Sequence, residues 1–197
     1  MKGREARSET RPEPLDVDRV AVDAARRDPL RFEPLYRKYV AQVYSFALYE
    51  TRDHHAAEDV TEQVFLQALR GLPTFTERAA DDGSTFRAWL FRICRNAIAN
   101  ERRYGRRHPT APLDQAAEVA APEDPEAAVV TRDELARAWR AVDALPDERR
   151  QALVLRFVDE MSAREIGEVM GRSEGAVRVL IHRALRAVAD ELAVARA

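Results

Sequence analysis

Cysteine occurs once in the 197 residues, at Cys94, so no intrachain disulfide can form. That thiol sits inside an apolar helical pattern and reads as a small core residue. Glycine occurs only seven times, and no phosphate-cradling Gly loop or nucleophile motif is present. No segment approaches the roughly 18 apolar residues of a membrane span. The charged N-terminus has no apolar signal-peptide core, so a cytoplasmic protein without membrane insertion is expected. Histidine occurs four times. His54 and His55 with Glu58 and Asp59 form a metal-like cluster, but adjacent side chains on a helix point about 100° apart and no further His/Cys set accompanies them. Neither catalytic residues, a metal nor a cofactor is expected, and the chain reads as a non-enzyme.

Lysine is nearly absent too. Only Lys2 and Lys38 occur, so 30 of the 32 basic residues are arginine. Arginine favours phosphate recognition, although a GC-rich genome gives the same bias. Hydrophobic residues make up 46% and charged residues 34%, yet net charge is only −2. The distribution says more than the sum. Phe86 to His108 holds seven Arg and one acid, whereas Pro109 to Thr131 holds five acids and no Arg or Lys. Local basic stripes of this kind leave an electrostatic footprint on nucleic acid.

Periodicity predicts an all-α fold: two small helical domains joined by a flexible acidic linker, the C-terminal one carrying a helix-turn-helix. Residues 1–27 read as a largely disordered tail with a short helix over Arg19–Arg27. Residues 28–108 form the first domain, with helices over about 30–49, 54–70 and 85–104. Leu35, Tyr39, Val43 and Phe46 mark the inner face of the first. Ala57, Val60, Val64, Ala68 and Leu69 mark that of the second, which Asp53 caps. A polar loop follows Pro73. Residues 109–130 form the Pro- and Ala-rich linker, and residues 131–197 the second domain.

Two stretches carry the functional signal. In the first, Arg92, Arg95, Asn96, Arg102 and Arg103 share an arc of roughly 120° opposite Phe86, Trp89, Leu90, Ile93 and Ala97. A row of guanidinium groups can follow a phosphate backbone; the bland alternative is a solvated cationic face. In the second, Ser162 and Glu165 form a capping box, Gly171 suits a positive-φ turn, and Ser173 can cap the next helix. Val177, Ile181, Ala184, Leu185, Val188 and Leu192 would pack inward. Arg178, Val179, His182, Arg183 and Arg186 would face phosphates and base edges. An ordinary amphipathic helix pair is the alternative.

Taken together these segments resemble bacterial RNA polymerase sigma factors of the extracytoplasmic-function (ECF) group. FEPLYRKYVAQVYSFAL is similar to region 2.1, AAEDVTEQVFLQAL to region 2.2, and FRAWLFRICRNAIANERR to regions 2.3 and 2.4. LPDERRQALVLRFVDEMSAREIGEVMGRSEGAVRVLIHRAL is similar to region 4. The resemblance implies a factor that binds core RNA polymerase through its β′ clamp helices and β flap. Its region 2 domain would melt the minus-ten promoter element, and its region 4 domain would read the minus-thirty-five element. An anti-sigma protein is a common partner in that group. Asp59, Glu62, Gln63 and Gln67 would face the polymerase. Arg92, Arg95, Asn96, Asn100 and Arg103 would meet DNA, as would Arg178, Val179, His182, Arg183 and Arg186. The loop before Phe86 would capture a flipped base, with Phe75 or Phe86 as stacking surface. Glu62-Gln63 reverses the group's usual order, Asn100 replaces a frequent Asp, and Val179-Leu180 replaces a frequently polar pair. A stand-alone helix-turn-helix regulator binding duplex operator DNA is the alternative.

Overall fold

A computed structural model describes residues 17–77, 84–107 and 132–194. Eight α-helices and no strand occur among them. They are α1 (Val17–Arg27), α2 (Glu33–Thr51), α3 (His54–Gly71), α4 (Phe86–Arg107), α5 (Arg132–Asp143), α6 (Asp147–Phe157), α7 (Ala163–Met170) and α8 (Glu174–Val194). The linker at 109–130 and most of the polar loop lie outside the described residues.

Helix α1 corrects the expected tail. Its Val22 and Ala25 are fully buried, so residues 17–27 are part of the first helical body. Asp18 fixes the helix in place: it accepts hydrogen bonds from Lys38 Nζ at 2.6 Å and from the Tyr39 hydroxyl. Burial and the adjacent carboxylate push the Tyr39 phenol well above its ordinary range.

The punctuation between helices is local chemistry. Asp53 accepts from the Ala56 amide at 2.9 Å and starts α3. Arg52 ends α2 in the left-handed region at φ 59°. Ser162 and Glu165 close a full capping box at the start of α7. Gly171 ends α7 at φ 68°, where a side chain would be strained. Gly167 is needed for space instead: a Cβ there would come within 2.7 Å of the Arg172 carbonyl.

Leu35, Tyr39, Val43 and Phe46 of α2 are buried as the pattern requires. On α3, Leu69 is 37% exposed while Thr61 and Phe65 are buried, so the inner face is rotated toward Phe65. Phe65 meets the rings of Phe32 and Tyr36 edge-on. Helix α4 is covered on two sides. Phe86, Leu90 and Ala97 are buried as expected, and so are Ala88, Phe91, Cys94 and Ile98. The second covering comes from the C-terminal half: α7 lies against α4. Ala152, Val154, Leu155, Met161, Ile166, Val169, Met170 and Val177 join the same apolar core as the first half. Leu145, Leu153 and Ala184 form a smaller core between α5, α6 and α8. The two helical bodies are therefore packed on each other.

Candidate nucleic-acid interface

Helix α4 starts from a braced loop end. Glu77 accepts from the Thr85 amide at 2.8 Å and its hydroxyl at 3.0 Å, and Ser84 Oγ accepts from the Phe86 amide at 3.1 Å. Beside this end lies a hollow lined by Thr74, Thr76, Trp89, Arg92 and, from α7, Glu168. Phe75 and Phe86 do not offer free stacking surface there. Both are buried, with Phe75 packed on Phe86 and on Trp89 at ring-centre distances of 5.9 and 4.8 Å. Their rings fill the core because the loop end folds back over α4.

The basic stripe of α4 is divided. Arg92, Asn96, Asn100 and Arg103 are exposed. Arg103 is held along the helix by the Ala99 carbonyl at 3.1 Å and Asn100 Oδ1 at 2.8 Å. Asn100 thus positions a guanidinium rather than adding a charge. Arg95 is half-buried, and its Nε donates to Gln151 Oε1 of α6 at 3.2 Å. Arg102 turns inward to Glu50 at 2.5 Å. Arg87, in the first turn of α4, lies 3.8 Å from Glu165 of α7. Neither Glu50 nor its cluster was anticipated from periodicity, which has no signal for a buried acid.

Helix α8 carries the second basic face. Arg178, His182, Arg183 and Arg186 are exposed, and Val179 is 50% exposed among them. Val177 and Ala184 are buried and Ile181, Val188 and Leu192 half-buried, as their spacing requires. Leu185 is the exception, at 45% exposure. Arg178 pairs with Glu174 one turn earlier. Such an exposed pair contributes little, about 0.3–0.5 kcal/mol, and yields readily to a phosphate or guanine. A groove beside this face is lined by Glu148, Arg172, Val179 and Arg183. Glu148 accepts two bonds from Arg172 at 2.6 and 2.7 Å, which hold its carboxyl below the usual range.

Asp59, Glu62, Gln63 and Gln67 form one exposed polar strip of α3. Glu62 borders an apolar groove between α2 and α3 that includes Tyr36, Tyr44, Leu66 and Leu69. Three of these large side chains, Tyr36, Leu66 and Leu69, are 37–44% exposed, a surface suited to a partner helix. His54 is bonded to the Tyr44 hydroxyl at 2.8 Å, and no metal-holding group occurs among the described residues.

A model described as Sigma-70 region 2 matches residues 35–108, and one described as Sigma-70, region 4 matches residues 135–188. The ECF RNA polymerase sigma factor BldN of Streptomyces coelicolor is 35% identical over 161 residues, which cover 80% of this chain and 59% of that protein. The ECF RNA polymerase sigma factor ShbA of Streptomyces griseus is 36% identical over 146 residues, covering 70% of this chain and 73% of that one. Among solved structures, CnrH in complex with the cytosolic domain of CnrY aligns with a TM-score of 0.65 at 26% identity, covering 90% of this chain and 97% of CnrH. With both regions matched in order, on two helical bodies that each expose a basic helix face, the chain belongs to the ECF family of RNA polymerase sigma factors.

Proposed function

We propose that this chain binds core RNA polymerase and directs it to a subset of promoters, with the first body melting the minus-ten element and the second reading the minus-thirty-five element. The observation that carries the reading is the pairing of two exposed basic faces, on α4 and α8, with an apolar groove between α2 and α3 of the first body. Arg92, Asn96, Asn100 and Arg103 supply the first DNA-facing surface. Arg178, Val179, His182, Arg183 and Arg186 supply the second. Arg95 joins the first only when α6 moves away. Glu62 borders the groove that takes a polymerase helix, and Asp59, Gln63 and Gln67 continue the polar strip of α3 that faces the polymerase.

The chemistry involved is binding, not bond-making, so no catalytic residue is assigned. Arginines on a helix neutralise phosphates by releasing condensed counterions, and base edges are read by the few side chains that enter the major groove. Run-off transcription with purified core polymerase and a genomic fragment pool tests the reading. Promoter-dependent transcripts are expected, and their absence from every template would overturn it. CnrH is held by the cytosolic domain of CnrY. We infer a comparable anti-sigma partner for this chain, which affinity purification from its native host checks directly.

A further inference from the structure

The turn between α7 and α8 shares a groove with the first turn of α6. Asp147, Glu148 and Arg149 line it from α6, and Gly175, Val179 and Arg183 line it from α8. Both acids are engaged. Asp147 takes Arg150 at 2.9 Å. Glu148 takes Arg172 of the turn, whose Nη2 donates to Oε1 at 2.7 Å and to Oε2 at 2.6 Å. Arg172 lies two residues before α8 begins at Glu174. Its backbone is fixed by the positive φ of Gly171 and by the bond from its amide to the Gly167 carbonyl at 2.9 Å. Its side chain would otherwise be free in solvent.

We propose that Glu148 is a positioning residue for DNA recognition: it holds Arg172 beside the reading face of α8, where the guanidinium takes a backbone phosphate next to the bases that α8 reads. This rests on the reading of promoter DNA by α8.

Ordering a long side chain on binding costs conformational entropy, and a group ordered beforehand avoids that cost. Glu148 supplies the order before DNA arrives. As an exposed ion pair, 24 positions apart in the chain, the contact adds little to stability, so its effect lies in where it keeps the guanidinium. Both bonds to Glu148 leave from one nitrogen. Among the described residues no acceptor takes the donors on Nε and Nη1, which stay available to a phosphate. Arg149 and Arg183 line the same groove, so its two acids do not make it repel an anion. The α8 side is also low. A Cβ on Gly175 would meet nothing within 4 Å, which leaves space for a phosphodiester chain. In a docked helix-turn-helix the first residues of the second helix meet base edges, and phosphate contacts fix its register.

The test uses the full chain and a labelled duplex DNA of randomised sequence, read by fluorescence anisotropy across a salt series. Phosphate contacts need no sequence, and each adds about 0.9 to the steepness of log affinity against log salt. Arg172→Ala is expected to weaken binding about tenfold and to flatten that slope by about one contact. Glu148→Ala is expected to weaken binding roughly threefold, although it removes a negative charge from a DNA-facing groove. Glu148→Gln keeps an acceptor for Arg172 and should recover part of the loss. In the Arg172→Ala background Glu148→Ala should cost nothing, because only the removal of charge is left. If circular dichroism shows Glu148→Ala to be misfolded, Glu148→Gln is compared with wild type instead, and a smaller loss is expected. Equal or tighter binding by the folded Glu148 variants overturns the positioning role, and so does a loss that persists without Arg172. An unchanged salt slope in Arg172→Ala overturns the phosphate contact. These measurements need no polymerase, so a wild-type chain that directs no transcription would count against the function proposed above and not against this groove.

Discussion

Glu165 and Arg87 face each other at 3.8 Å across the seam between α7 and α4. The same glutamate accepts from the Ser162 amide at 2.8 Å and so completes the box that starts the helix-turn-helix. One carboxylate therefore serves helix initiation and docking of the two halves. Glu165→Gln retains an acceptor for the box but loses the ion pair. Glu165→Ala loses both. The alanine variant is expected to cost about 1–2 kcal/mol in urea unfolding and the glutamine variant about half of that. Equal losses would show that the ion pair, not the cap, is the stabilising contact.

Asp159 gives the protein a pH dependence opposite to that of a paired carboxylate. Burial pushes its carboxyl up to about 7, with Arg87 opposing the shift. The folded state therefore binds a proton that the unfolded state has released, between the ordinary Asp value near 3.9 and about 7. Its contribution to stability falls as pH rises through that window and stays at its lowest above it. Asp159→Asn is expected to stabilise the chain by on the order of 1–4 kcal/mol above pH 7, with the gain vanishing below about pH 4. Thermal unfolding across that range checks the sign.

Arg103 and Arg95 separate two roles on one helix. Arg103→Ala removes an exposed guanidinium, so promoter binding by the holoenzyme should weaken and its salt slope drop by about one phosphate contact. Core-polymerase affinity should be unchanged. Arg95→Ala should give the same loss in the holoenzyme, where the seam is open. Loss of polymerase affinity with intact promoter melting would reverse the two surfaces of the first body.

The reading face of α8 is tested by a randomised minus-thirty-five library. Arg178→Ala is expected to relax preference at one or two positions, at about 1–3 kcal/mol of discrimination. Arg186→Ala should weaken all promoters about equally. The opposite pattern would exchange the two assignments.

Gly167 offers a packing test of the same unit. Gly167→Ala drives a methyl group toward the Arg172 carbonyl and must shift the turn that sets α8. The expected cost is about 1–3 kcal/mol, with DNA reading lost before α7 itself unfolds, as circular dichroism and promoter binding together would show.

Helix positions and caps were legible because their causes are local. Asp53, Ser162, Glu165 and Gly171 act within four residues of themselves, and the buried side of α2 follows from spacing alone. Leu69 and Leu185 were misplaced because an ideal helical wheel cannot say how wide a face a neighbour covers. The second buried side of α4 was missed for the same reason, since its cover comes from α7. The arginine stripe was visible in composition, but not its division. Arg102 and Gln151 reach Glu50 from 52 and 101 positions away, a distance over which no local pattern operates. Ordered packing of residues 17–27 depended likewise on Asp18 meeting Lys38 and Tyr39.

Complete burial of Cys94 supplies the molecule with a reporter of its own. Burial raises its thiol far above the ordinary range, and Asp159 and Glu50 add to that effect, while the sulfur belongs to the core that both halves share. A thiol held neutral and enclosed does not react with alkylating reagents until the surrounding helices part. The labelling rate of the native chain therefore counts opening events along α4. Mass spectrometry of a single modified residue then follows the motion without any introduced probe.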